Sequence, residues 1–181
     1  LGCYGDGGAI FTSNKTLANA MREIRIHGQK ARYYHTRSGV GGRMDTLQCA
    51  VVLAKLERFE WEIQQRTTLG NRYSNMLKDC KVTTPLIKAG RTSVYAQYTI
   101  RASKRDSLAE LLGRQGIPTA IHYPTPIHMQ PAYACFHDGR LLPETDKAAE
   151  EVISLPMYPD MDFYTQDKIV FAVRQALEEI K

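Results

Sequence analysis

The first eight residues contain four glycines, and a short apolar run follows them at once. Glycine permits a positive φ or a close approach of the backbone to a ligand, at an entropic cost to the folded state. The pattern predicts a tight turn that leads into a strand over Gly8 to Thr12, and it is compatible with a structural turn or with a ligand-approach loop. It is neither a Walker loop nor a GxGxxG fingerprint. The sequence lacks an initiating Met, so we expect it to begin inside a longer protein.

Composition narrows the class of protein. Lys and Arg number 24 and Asp and Glu 19, and the resulting net charge of +5 suits an anionic small molecule as well as it suits nucleic acid. Cys3, Cys49, Cys80 and Cys135 are widely separated, which favours reduced thiols in a cytoplasmic protein and predicts no metal site. Because the sequence shows no nucleic-acid-binding module, signal peptide or apolar run of about 20 residues, we expect no nucleic-acid partner and no membrane partner.

Caps and apolar spacing organise the first third of the chain. Ser13 or Asn14 can cap a helix whose apolar face extends to Ile24, and Gly28 is placed to end it. A basic loop follows over residues 28–43. Loops of this length inside a folded domain tend to be functional or disordered, although a basic run is more often a solvated face.

The next helix has a sharp predicted start. Asp45 stands three residues before Gln48, an Asp-led form of the capping box. The first half of this helix is apolar nearly all round, so we expect it to be buried between two layers. The pattern continues with a change of face and predicts a single long helix over residues 46–79 that bridges two domains.

Beyond Asp79 the pattern predicts alternating short strands and helices. We expect a loop at the Tyr123-Pro124-Thr125-Pro126 segment, because neither a helix nor a central strand accommodates it. The predicted elements are a strand over 93–102, a helix over 106–115, a strand over 118–123, a helix over 145–152, a strand end over 154–157 and a helix over 165–180.

Two stretches are candidates for ligand binding, one at Arg43 and one at His122-Tyr123. Arg43 precedes a helix start, where backbone amides and the helix dipole favour anions, and its guanidinium can bind a phosphate or carboxylate at two points. His122 and Tyr123 end a predicted strand at the proline-stiffened loop, which would hold their side chains rigidly. A lone histidine beside a strand is more often a hydrogen-bonded structural residue, and that alternative stays open at this point.

Taken together, several segments resemble the nucleotide-sugar aminotransferases of the DegT/DnrJ/EryC/StrS family. Their order and intervals match along nearly the whole chain, and the resemblance is greatest to the subgroup that aminates a UDP-linked 3-keto uronic acid. The segments are Leu1-Gly2-Cys3-Tyr4-Gly5-Asp6-Gly7-Gly8-Ala9, His27-Gly28, Gly41-Gly42-Arg43-Met44-Asp45-Thr46-Leu47-Gln48-Cys49-Ala50, His122-Tyr123-Pro124 and Leu155-Pro156-Met157.

The resemblance implies the C-terminal part of an α/β, fold-type-I transferase that depends on pyridoxal 5'-phosphate. Residues 1–45 would be the remnant of the large cofactor-binding domain, 46–79 the interdomain helix and 80–181 the small C-terminal domain. The implied reaction moves an amino group from glutamate, which leaves as 2-oxoglutarate, to a UDP-linked keto sugar in bacterial O-antigen or lipopolysaccharide synthesis. The implied enzyme is a cytoplasmic homodimer with shared active sites.

The resemblance also assigns site residues. Arg43, His122 and Tyr123 match residues that bind substrate from the partner subunit, and Gly41 falls on the position of an asparagine that contacts the cofactor phosphate. The Schiff-base lysine is expected two residues before the position matched by Leu1, so no catalytic residue is assigned within this sequence.

Two rival functions remain open from the sequence. One is a keto-sugar dehydratase of the same family, which uses pyridoxamine phosphate and has histidine at the Schiff-base position. The other is a catalytically silent domain that binds a nucleotide sugar or mediates dimerisation.

Overall fold

A computed structural model describes residues 2–180, and the chain divides into two units, Leu1–Glu60 and Trp61–Lys181. Leu1, at which the glycine-rich opening and the predicted link to the Schiff-base lysine begin, lies outside the described residues. Among residues 2–180 no helix is both long and apolar enough to span a membrane.

The first helix, α1 (Lys15–Ile24), begins where the sequence predicts. The Asn14 side chain accepts a hydrogen bond from the Leu17 amide at 3.1 Å, which confirms the expected cap. The helix ends at Ile24 with Arg25 as its C-cap, so Gly28 lies beyond the helix end.

A small hairpin replaces part of the predicted basic loop. Its strands are β1 (Gln29–Ala31) and β2 (Tyr34–His35), which pair antiparallel. Gly28 has a φ of 76°, and a β-carbon there would collide with the carbonyl group of Arg37. The hairpin therefore closes only because this position is glycine.

The strand expected over Gly8 to Thr12 is absent. These residues are exposed and adopt no regular secondary structure. A strand needs a neighbouring strand to satisfy its backbone groups, and within residues 2–180 no backbone hydrogen bond of that kind reaches this segment.

The long helix expected over residues 46–79 is two helices, α2 (Thr46–Leu56) and α3 (Phe59–Leu77), separated at Glu57 and Arg58. Asp45 is the N-cap of α2 by position but makes no capping hydrogen bond through its side chain. The expected burial of α2 is also wrong for the described chain, because none of its residues is buried and Leu47 is 74% exposed.

A two-stranded antiparallel sheet lies at the centre of the second unit. Its strands are β3 (Tyr98–Arg101) and β4 (Val152–Leu155), paired in register from Tyr98 opposite Leu155 to Arg101 opposite Val152. Single bridges join Thr83 to Arg101 and Ala120 to Ser154. The strand predicted over 93–102 is therefore shorter than expected, and the one predicted over 118–123 is reduced to the bridge at Ala120.

The remaining helices confirm the predictions, with ends shifted by one or two residues. Between Ala120 and α5 the chain forms two short 3-10 helices, Ile127–Met129 and Pro131–Phe136, which follow the predicted proline-stiffened loop. The helices are α4 (Arg105–Arg114), α5 (Pro143–Glu151) and α6 (Phe163–Glu179).

The core of the second unit packs α3, α4 and α6 against the sheet. Tyr73 stacks on Tyr98 with 4.8 Å between ring centroids, and burial raises the pKa of Tyr98 to about 12. This is a two-layer α/β arrangement. Its fully buried side chains include Leu69, Tyr73, Leu77, Tyr98, Ile100, Leu108, Leu112, Ile153, Val170 and Val173.

Candidate functional site

Main-chain pairing fixes the position of Arg43. The segment before it runs antiparallel to the end of α1: the Val40 amide donates to Ile24 O at 2.9 Å, and the Gly42 amide donates to Arg25 O at 2.9 Å. A salt bridge of 2.7 Å from Arg37 Nε to Glu23 Oε2 closes the base of the hairpin. Arg43 thus follows a well-defined backbone rather than a disordered loop.

Arg43 lines a cleft of about 700 Å³ in the first unit. One wall is the glycine-rich opening from Asp6 to Thr12, and the other carries Arg22 and Arg25 of the α1 end. Within residues 2–180 none of the three arginines pairs with a carboxylate, and Asp6 is the acidic residue among the lining groups. The cleft therefore favours an anionic ligand.

Gly41 leaves room for the side chain of His27. A β-carbon at position 41 would lie 3.2 Å from His27 Cε1, so a larger residue would press on the imidazole ring. The backbones of Ile26 and Gly41 form an antiparallel bridge at the same place. Gly41 offers no side chain for the phosphate contact that the resemblance places there, and that contact stays a prediction.

His122 belongs to a polar chain across the sheet of the second unit. Its Nδ1 lies 3.1 Å from Ser154 Oγ, and Ser154 Oγ lies 2.8 Å from Thr99 Oγ1. Ser154 is buried, while His122 is exposed, and within residues 2–180 its Nε2 makes no hydrogen bond. The ring is therefore oriented through one nitrogen, and its other nitrogen is available to a ligand.

Tyr123 follows His122 at the mouth of a second cleft. Its ring meets the His122 ring edge-on, with centroids 5.6 Å apart, and the side chain is 74% exposed. The cleft measures about 620 Å³ and is lined mainly by apolar groups, with Ile127 and Tyr133 among them and Ala148 of α5 opposite. Such a cleft suits the ring faces of a sugar or base, with a few polar groups to orient it.

The structure brings together His122 and Tyr123 in the second unit and places Arg43 with the glycine-rich opening in the first. Sequence reasoning missed Ser154 and Thr99, which orient His122. The available signal was a serine inside the apolar run Val152–Leu155, because a polar side chain in a buried strand needs a partner.

The residues of the first cleft fit only part of the cofactor that the resemblance implies. Three arginines and flexible glycine backbone can hold a phosphate group. None of the described residues that line the cleft is a lysine, so no covalent anchor for pyridoxal phosphate is assigned here. Among residues 2–180 no cluster of three metal-ligating side chains occurs.

Comparison with known sequences gives the same family as the resemblance described above. The profile of the DegT/DnrJ/EryC1/StrS aminotransferase family matches residues 1–174. The chain is 51% identical over 162 residues to UDP-2-acetamido-2-deoxy-3-oxo-D-glucuronate aminotransferase from Pseudomonas aeruginosa, an alignment that covers 90% of this chain and 45% of that protein.

Solved structures of aminotransferases also superimpose closely on this chain. A DegT DnrJ EryC1 StrS aminotransferase from Brucella abortus superimposes with a TM-score of 0.92 at 40% identity, covering 98% of this chain and 48% of that one. DesV from S. venezuelae, in complex with a ketimine intermediate, gives a TM-score of 0.93 at 33% identity, with 98% and 48% coverage. The expected α/β fold class is confirmed, and the chain spans about half the length of the relatives it matches.

Proposed function

Because the chain belongs to the DegT/DnrJ/EryC1/StrS aminotransferase family, we propose that it serves in the transfer of an amino group from glutamate to a UDP-linked 3-keto uronic acid. The relative from Pseudomonas aeruginosa supports this substrate, since its name specifies a UDP-linked 3-oxo-glucuronate and the two sequences are 51% identical. The product would be an amino sugar for O-antigen or lipopolysaccharide synthesis in the cytoplasm.

The observation within this chain that carries the proposal is the unpaired Arg43 guanidinium in a basic cleft. A UDP-uronic acid carries a diphosphate and a carboxylate, and a planar guanidinium binds either group at two points. Arg43 is the residue we assign to this contact.

His122 and Tyr123 would orient the sugar. The hydrogen bond between His122 Nδ1 and Ser154 Oγ fixes the imidazole, so its second nitrogen can contact a sugar hydroxyl or carboxylate. The exposed Tyr123 ring can cover one face of the sugar and help to exclude water. Pyridoxal phosphate, when bound, supplies the electron sink for moving the amino group.

We further propose a homodimer in which Arg43, His122 and Tyr123 serve the active site of the partner subunit. The exposed apolar side chains of α2, among them Leu47 and Leu53, support an additional packing partner, because exposed apolar patches of this kind mark interaction surfaces.

The test uses the full-length protein that contains this chain, mixed with pyridoxal phosphate. We expect a visible absorption band of the bound cofactor that glutamate bleaches and a UDP-keto uronic acid restores. Binding of the cofactor without bleaching by glutamate, combined with dehydration of a keto sugar, would replace the proposal by a dehydratase. UDP-sugar binding without any cofactor band would replace it by a catalytically silent binding domain.

A further inference from the structure

The segment between Tyr123 and Leu142, which we name the proline loop, forms one wall of the second cleft. Ile127, Gln130 and Tyr133 line the cleft from this loop, and Thr145 and Ala148 line it from α5. The width of the cleft beside His122 and Tyr123 therefore depends on how the loop is held against α5.

Buried apolar contacts do not hold the proline loop in place. Ile127 is 72% exposed and Phe136 is 80% exposed. Within residues 2–180, neither the core nor the partly buried groups packed against it include a residue of the proline loop. A segment with so few buried contacts opens at a low free-energy cost unless specific polar contacts retain it.

A histidine–carboxylate pair supplies such a contact. His128 Nε2 lies 3.2 Å from Asp146 Oδ1, and the His128 side chain is 17% exposed. In the described part of the chain this is the histidine–carboxylate contact that joins the loop to α5. Neither member lines this cleft itself, but each directly follows a residue that does: His128 follows Ile127 of the loop, and Asp146 follows Thr145 of α5.

One oxygen of the Asp146 carboxylate is buried, although the side chain as a whole is 44% exposed. Asp146 Oδ1 is enclosed and accepts no aligned hydrogen bond within residues 2–180, and His128 Nε2 lies beside it at 3.2 Å. The His137 ring, 5.1 Å from the His128 ring between centroids, packs on the same histidine. If His128 were lost, the carboxylate oxygen would be left without compensation, and opening of the loop to admit water would relieve that cost.

We infer that His128 and Asp146 are positioning residues that fasten the proline loop to α5 and thereby set the width of the cleft that holds the nucleotide sugar. That the pair holds the loop against α5 is inferred from the geometry of this chain alone. Its effect on nucleotide-sugar affinity rests on the proposed function.

The experiment compares the full-length wild type with His128→Phe and Asp146→Ala, with Asp146→Glu as the conservative variant. Asp138→Asn is the matched control, because Asp138 is an exposed carboxylate of the same loop that faces Arg140 at 3.7 Å. Hydrogen exchange of residues 123–142 is measured alongside the dissociation constant for a UDP-uronic acid and the rate of the glutamate half-reaction.

In His128→Phe and Asp146→Ala we expect loop exchange to accelerate and the dissociation constant to rise, each on the order of 10-fold. The glutamate rate should stay unchanged, and Asp146→Glu should recover most of the affinity. A merely structural role would alter both half-reactions together.

Unchanged hydrogen exchange of the proline loop in both variants would show that His128 and Asp146 do not hold the loop against α5. Faster exchange with unaltered affinity, in a wild type that binds the sugar, would overturn the control of cleft width. If the wild type does not bind the sugar, the proposed function fails, and hydrogen exchange still decides whether the pair fastens the loop.

Discussion

Glycine at position 28 is a requirement of the fold at the scale of a single residue. Its φ of 76° and the closeness of the Arg37 carbonyl leave no space for a β-carbon. The sequence predicted a glycine-controlled end to α1, but the collision that makes the residue necessary involves Arg37, which lies just beyond the following hairpin. Such a contact cannot be inferred from the local sequence pattern.

Gly28→Ala should therefore destabilise the protein by roughly 2–4 kcal/mol, the sum of left-handed backbone strain and overpacking. Gly90→Ala is the control, because Gly90 has a similar φ of 70° but no atom near its β-carbon position. It should cost about 1–2 kcal/mol from backbone strain alone. Urea denaturation measures both, and equal costs would show that the Arg37 contact is unimportant.

The carboxylate of Glu23 gives the hairpin a dependence on pH. The hydrogen bond from Arg37 lowers the Glu23 pKa, and one from Thr36 adds to the effect. A pKa lowered by folding means that the stabilisation is present above the ordinary pKa of glutamate and is lost as pH falls through the folded value.

We expect a carbon-13 NMR titration to place the Glu23 pKa below the ordinary value for glutamate. In Arg37→Gln the Glu23 pKa should return towards the ordinary value for glutamate. If the Glu23 pKa is the same in wild type and variant, Arg37 does not stabilise the charged form.

At the scale of elements, α2 shows what local sequence can and cannot predict. The Asp45 signal correctly predicted where the helix begins, yet the capping box is not formed. Gln48 instead pairs with the main chain of Tyr4, accepting from its amide at 2.7 Å and donating to its carbonyl at 2.9 Å. A partner so distant in sequence cannot be inferred from spacing. The apolar face of α2 was expected to be buried, but the described residues do not cover it.

Replacing Gln48 tests this anchoring of the glycine-rich opening. In Gln48→Ala the Tyr4 amide should exchange with solvent about 10-fold faster, because it loses its hydrogen-bond acceptor. Gln64→Ala on the exposed face of α3 is the matched control and should leave Tyr4 unaffected. Unaltered exchange in Gln48→Ala would mean that other contacts hold the opening.

At the scale of the whole molecule, the second unit was predicted best. Helices α4, α5 and α6 follow from apolar periodicity, since their buried faces recur at helical spacing. The polar chain from Thr99 through Ser154 to His122 was not predicted, because it joins three separate segments. Local sequence pattern singled out Arg43, His122 and Tyr123, and the family resemblance gave them substrate-binding roles. Those roles, and the assignment of residues 1–45 and 80–181 to a large and a small domain, stay predictions.

The central claim is that this chain binds the anionic nucleotide sugar of an aminotransferase through Arg43. The most direct measurement is a single-turnover reaction of the full-length enzyme, already aminated by glutamate, with a UDP-3-keto uronic acid. It compares wild type, Arg43→Gln, Arg43→Lys and the control Arg114→Gln, an exposed arginine paired with Glu110.

We predict that Arg43→Gln weakens the apparent sugar affinity roughly 10- to 100-fold, that Arg43→Lys recovers only part of it, and that Arg114→Gln behaves as wild type. The glutamate half-reaction should proceed in all four proteins. An unchanged sugar affinity in Arg43→Gln, in an enzyme that glutamate still aminates, would contradict the assignment of Arg43.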